Sequence, residues 1–157
     1  SATSIAFTST SGVIGATTNN SAATGSVGEY VTAQILNAGA TISLTTATPA
    51  TVVSISLTAG DWLVWGNVNF LFTLTTAVIV ASGGVSSTDA TLPDKTYQGA
   101  IAYVNATGTI IGNNLGVHAP MYRVSLSGTT TIYLVAYCEF SASTANAAGF
   151  ISATRVR

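Results

Sequence analysis

The chain is 157 residues long, one domain's worth, with room for a single core that hides about two thirds of the unfolded surface. Four Lys+Arg and five Asp+Glu make up 6% of it, against about 25% in an average globular protein, and the formal net charge is −1. So few cations exclude an electrostatic footprint for nucleic acid or an anionic membrane, and a mean hydropathy of +0.53 is reached without any run near the ~20 apolar residues of a spanning helix, so no membrane insertion is expected.

Residues 1–28 are rich in Ser, Thr, Ala, Gly and Asn, with isolated apolar residues at Ile5, Phe7, Val13 and Ile14. This is too little apolar density for a core. The segment reads as an extended arm that orders only against something else, with Gly25–Gly28 as its hinge, the alternative being a disordered linker. From Glu29 to Arg157 the chain is rich in Thr, Val and Ile and broken by turn residues about every ten positions, the signature of an all-β domain. Strands are predicted over 30–36, 41–45 and 51–58; in the last, Val53, Ile55 and Leu57 alternate with Ser54, Ser56 and Thr58.

A strand over 61–74 places Trp62, Val64, Gly66, Val68, Phe70, Phe72 and Leu74 on one face. The other face, which a monomer should leave wet, carries Leu63 and Trp65 beside Asn67, Asn69, Leu71 and Thr73. A short strand over 76–82 leads into a polar loop over 83–95, read as solvent-facing from Pro93 and Asp94-Lys95. Strands over 99–104 and 109–111 flank a turn at Asn105–Gly108, and 112–120 reads as an irregular loop. Tyr122, Val124 and Leu126 alternate with Arg123, Ser125 and Ser127. The strand over 131–141 then sets Ile132, Leu134, Ala136, Cys138 and Phe140 against Tyr133, Val135, Tyr137 and Glu139. A last strand covers 149–157.

Leu63, Trp65, Tyr133, Val135 and Tyr137 are therefore predicted to lie under a neighbouring copy. Tyr suits such a surface because it is large and keeps a polar tip. The low charge agrees: nine ionic groups on a folded surface on the order of 7,000 Å² keep a lone domain poorly dispersed.

Catalytic chemistry finds little to work with. His118 is the sole histidine, no GxSxG elbow is present, and the five acids are scattered, so no enzyme, cofactor or metal is expected. Asp89 and Asp94, with Ser87, share a loop whose spacing fits no EF-hand. Cys138 is the only cysteine and sits on an apolar face, so an inert buried thiol is expected. Asn105–Thr107 matches a glycosylation pattern by composition alone. Residues that read a receptor should lie on loops at one end of a sandwich. The candidates are Ser87, Asp89, Asp94 and Lys95 on one loop and Asn113, Asn114 and His118 on another.

The segments GEYVTAQILNAGATISLTTATPATVVSISLTAGDWLVWGNVNF, SSTDATLP and MYRVSLSGTTTIYLVAYCEFSASTANAAGFISATRVR resemble a family of phage and prophage virion proteins of head-fibre, decoration or tail-fibre type. The resemblance runs from about Gly28 to Arg157 and implies a jelly-roll-like antiparallel β-sandwich assembled as a homotrimer, similar in outline to C1q/TNF-type heads, with residues 131–141 suited to the threefold axis. It implies localisation to the virion and a decoration, cement or head-fibre role beside the major capsid protein. The alternative is the receptor-binding tip of a tail fibre, with a host surface glycan or protein as partner. The family supplies no catalytic residue.

Overall fold

The computed structural model describes residues 18, 20–39, 41–73, 76–102, 114–141 and 143–157. The arm residues Ile5, Phe7, Val13 and Ile14, the loop residue Asn113 and the Asn105–Thr107 pattern lie outside the described residues. Strands follow one another as β1 Tyr30–Ile35, β2 Ile42–Ser43, β3 Ala50–Leu57, β4 Gly60–Phe72, β5 Ala77–Ser86, β6 Gln98–Ala102, β7 Asn114–Leu126, β8 Thr130–Ser141 and β9 Ala145–Arg155. A 3-10 turn, Lys95–Tyr97, precedes β6. The high Thr, Val and Ile content favours this, since branched side chains pack well on a pleated surface.

The strands form two antiparallel sheets. Sheet I has the order β1-β9-β4-β7 with β2 also on β9, and sheet II has the order β3-β8-β5-β6. Pairing is nested: β1 with β9, β3 with β8, β4 with β7 and β5 with β6. A long hairpin doubled back and rolled so that its legs alternate between two sheets is the jelly roll. The fold is thus the expected all-β sandwich.

Its core is where period-two alternation places it. Trp62, Val64, Val68 and Phe70 of β4 and Ile151 and Ala153 of β9 face Ile55, Leu57, Ile132, Leu134, Cys138 and Val85 of sheet II, all nearly or wholly inaccessible. Each fully buried Val, Leu, Ile or Phe contributes about 1.5–3 kcal/mol of transfer free energy. Tyr122, at the edge of sheet I, donates its hydroxyl to the Val85 carbonyl (3.1 Å) and packs its ring 4.9 Å from that of Tyr97, tying the two sheets along that side.

Three segments differ from expectation. Strand β5 runs through Gly83 and Gly84 to Ser86 rather than stopping at Ser82. These glycines serve packing: a Cβ on Gly83 would stand 2.8 Å from Val68, and one on Gly84 2.6 Å from Pro93. Residues 114–120, read as loop, are the first half of β7. That strand lies at a sheet edge, and Pro120 falls in a bulge where the register with β4 shifts between Val64 and Gly66, so the missing N–H is tolerated. Strand β9 begins at Ala145, four residues before its expected start. Upstream of β1, residues 20–28 lie against the sandwich in turns: the Tyr30 amide donates to Ser21 Oγ (2.9 Å) and the Gly28 amide to the Arg155 carbonyl (2.9 Å).

Candidate functional site

The outer face of sheet I is built by the alternate residues of four strands. Cross-strand register aligns Tyr30, Thr154, Leu63 and Arg123 in one row, Thr32, Ser152 and Trp65 in the next, and Gln34, Phe150, Asn67 and His118 in a third. Tyr30 and Trp65 pack ring to ring at 6.2 Å, and the Tyr30 hydroxyl shares a 2.9 Å hydrogen bond with Ser152 Oγ. Tyr30 is 47% exposed, Met121 58% and Phe150 36%, while Leu63, Trp65 and Leu71 are half-buried. The one ionic side chain in these rows, Arg123, is paired with Asp61 at 2.8 Å. The aromatic and aliphatic side chains are thus gathered at the Tyr30, Leu63, Trp65 and Met121 end of this face, among the hydroxyls of Thr32, Ser152 and Thr154.

The outer face of sheet II is different, because the chain covers part of it. The loop after β5 folds back over β3 and β8. Thr51 Oγ1 donates to Asp89 Oδ1 (2.5 Å) and accepts from the Ala90 amide (2.9 Å), and Gln98 Nε2 donates to the Pro93 carbonyl (2.6 Å). Thr51 and Gly84 are the cross-strand partners of Val135, which is fully buried beneath this loop. Tyr137 lines a cavity of about 450 Å³ with Val80, Ser82, Leu92, Lys95, Gln98 and Ala100.

The predicted interface residues therefore do not share a surface. Leu63 and Trp65 lie on the outer face of sheet I, Tyr133 and Tyr137 on that of sheet II, and Val135 is withdrawn into the chain's own interior. Alternation along a strand tells which residues point away from the core, but not which sheet the strand joins.

The receptor-loop candidates divide similarly. Ser87, Asp89, Asp94 and Lys95 belong to the loop fastened on sheet II. Asp94 caps the 3-10 turn, accepting from the Thr96 amide (2.9 Å), and this bond holds its carboxyl below the usual range. Asn114 and His118 are exposed strand residues of β7 in sheet I, a correction to their placement in a loop. Among the described residues no three His, Cys, Asp or Glu side chains gather as a metal site would require. Cys138 is buried, and burial pushes its thiol up to about 12.

Most of the ionic side chains meet at one pole. Arg155 is buried with its Nε on Glu29 Oε2 (2.9 Å), Nη1 on the Ala59 carbonyl (2.7 Å) and Nη2 on Thr58 Oγ1 (2.5 Å), its guanidinium 4.3 Å from the Trp62 ring centre. Beside it Asp61 accepts from Arg123 (2.8 Å) and Arg157 (2.6 Å). The Ser125 hydroxyl opposite and then Arg123 hold the Asp61 carboxyl down to about 2, although its Oδ1 lacks a hydrogen bond of good geometry. The Glu29 carboxyl is held low first by the Gly25 amide, against its own burial, and then by Arg155. The sequence reading placed Arg155 at the end of the last strand and gave it no role. The signal was there: period two places it on the same face as Ile151 and Ala153.

No protein-family model and no curated protein sequence matches the chain. Among solved structures it is similar to that of infectious bursal disease virus Gx strain, with TM-score 0.46 and 17% identity over 92% of this chain and 37% of that one. It is similar also to the infectious bursal disease virus VP2 subviral particle, with TM-score 0.44 and 16% identity over 83% and 34%. A third is the Gt strain structure, with TM-score 0.37 and 15% identity over 80% and 30%. The chain spans about a third of the length of these structures.

Proposed function

We propose that the chain is a non-enzymatic structural module of a bacteriophage particle, of capsid decoration, cement or head-fibre type, working as a homotrimer whose copies meet through the outer face of sheet I. The observation that carries this reading is the uncovered surface of Tyr30, Leu63, Trp65 and Met121. It joins the Tyr30 and Trp65 rings to Leu63 and Met121 across the hydroxyls of Ser152 and Thr154, and its one charge pair, Arg123 with Asp61, is internally neutralised, a mixture of large apolar and uncharged polar groups suited to an association surface. Sheet II is the weaker candidate, since its own loop already occupies part of its outer face. The threefold count and the particle rest on the resemblance to phage virion proteins. The structural role is supported by the acids: Glu29, Asp61, Asp89 and Asp94 are each engaged in holding the fold.

Sedimentation equilibrium at micromolar concentration tests the oligomer. A mass three times the 15.8 kDa chain is expected, with Trp65→Glu and Tyr30→Glu lowering it to the monomer. A native monomer, or a trimer indifferent to both changes but broken at Tyr133, overturns the assignment to sheet I. Copy number in purified particles tests the location. Hundreds per particle fit a capsid position, whereas a few copies, together with blocked adsorption by the isolated protein, would favour the receptor-binding tip.

A further inference from the structure

Along β4 the outer face of sheet I changes character. Toward Leu63 and Trp65 it is aromatic and aliphatic. From Asn67 onward it turns to carboxamides: Gln34, Asn37, Asn67 and Asn69, with Phe150 and Leu36, line a groove of about 390 Å³. That volume lies within the ~300–1,000 Å³ usual for small-ligand sites. Gln34, Phe150 and Asn67 stand in one row across three strands, and Asn69 Nδ2 donates to Asn37 Oδ1 at 3.0 Å, which orients both amides. No ionic side chain lines the groove.

Each carboxamide offers one acceptor oxygen and two N–H donors from a planar group. Vicinal hydroxyls of a sugar, each donor and acceptor at once, match that pattern. The partly exposed Phe150 ring offers an apolar face for the C–H side of a pyranose. An ionic ligand would lose hydration here with no opposite charge to replace it. We infer that this groove binds a neutral saccharide, its hydroxyls held by the Gln34, Asn67 and Asn69 carboxamides and its ring packed on Phe150. The inference holds whether the module sits on head or tail, and it requires that the proposed contact between copies keep to the Tyr30, Leu63, Trp65 and Met121 end of sheet I and leave the Gln34, Phe150 and Asn67 row open.

The test titrates the isotope-labelled full chain with maltotriose, lactose and mannotriose, with digalacturonic acid as the charged control, following side-chain amide resonances. Saturable shifts of Gln34, Asn67 and Asn69 with at least one neutral sugar, and none with the acid, are expected. Asn67→Ala and Phe150→Ala should weaken binding by about tenfold or more. Asn69→Asp, which keeps the size and adds a charge, should do the same with an unchanged circular dichroism spectrum, separating lost binding from lost folding. The inference is overturned if none of the three sugars shifts these amides, if the acid binds as well, or if shifts fall around Tyr137 and Leu92. It fails equally if the groove variants lower the sedimenting mass without any sugar response, since a second copy would then be the occupant.

Discussion

Arg155→Met removes the cation from the pole while keeping an apolar stem against Trp62. Three hydrogen bonds vanish, and the Glu29 carboxylate, whose side chain is 10% exposed, is left with the Gly25 amide and no counter-charge. Breaking a buried ion pair from one side costs about 3–5 kcal/mol. For a chain of this size each kcal/mol lowers Tm by about 2–4 °C, so a fall of roughly 6–20 °C is expected. Adding Glu29→Gln removes the stranded charge and should restore most of the loss, to within about 1–2 kcal/mol of the native chain. Urea unfolding of the four proteins in a double-mutant cycle measures both numbers. If Arg155→Met unfolds within about 1 kcal/mol of the native chain, or the double variant is no more stable than the single, the pole is not an energetic unit and the reasoning fails.

Because Asp61 is depressed to about 2 from an ordinary 3.8, its contribution is complete above about pH 4 and is lost as pH falls toward 2. Thermal melts across that window should show the loss, and Asp61→Asn should flatten its share of it. Cys138, buried and with its thiol near 12, should not react with a thiol reagent in the native state and should react fully in denaturant, as absorbance would show. Gly84→Val should push Pro93 and its loop off sheet II, costing about 1–3 kcal/mol and opening the segment after β5 to limited proteolysis; unchanged cleavage would mean the loop does not depend on this contact.

Much of the fold was legible because two strands state their faces plainly. Trp62 to Phe72 alternate without interruption and Ile132 to Phe140 do so except at Val135, which the loop after β5 covers, and both inner faces are where that pattern places them. Glycine and proline misled it. Gly83-Gly84 and the run from Gly116 to Pro120 read as breaks, yet the first lets another sheet and a loop approach closely, and the second lies in an edge strand with a bulge to receive Pro120. The candidate surface was half legible. Leu63 and Trp65 were identifiable as large residues on a face away from the core, but Tyr30 and Met121, which extend it, come from strands that only the fold brings alongside. The carboxamide groove was not legible at all, since Gln34, Asn67 and Phe150 meet only through register.

The nested pairing also sets an order in time. Strand β9 lies between β1 and β4, and its partner on one side, β1, begins at Tyr30, which faces Thr154. Until β9 leaves the ribosome, sheet I exists as three separate pieces, β1, β2 and the β4–β7 pair, with open edges, and β1 has waited through almost the whole synthesis of the domain for the strand that completes it. Closure is then governed by long-range encounters, which puts folding in the millisecond-to-second range expected of such topologies, and during that wait unpaired apolar strands from neighbouring polysomes compete for the same edges.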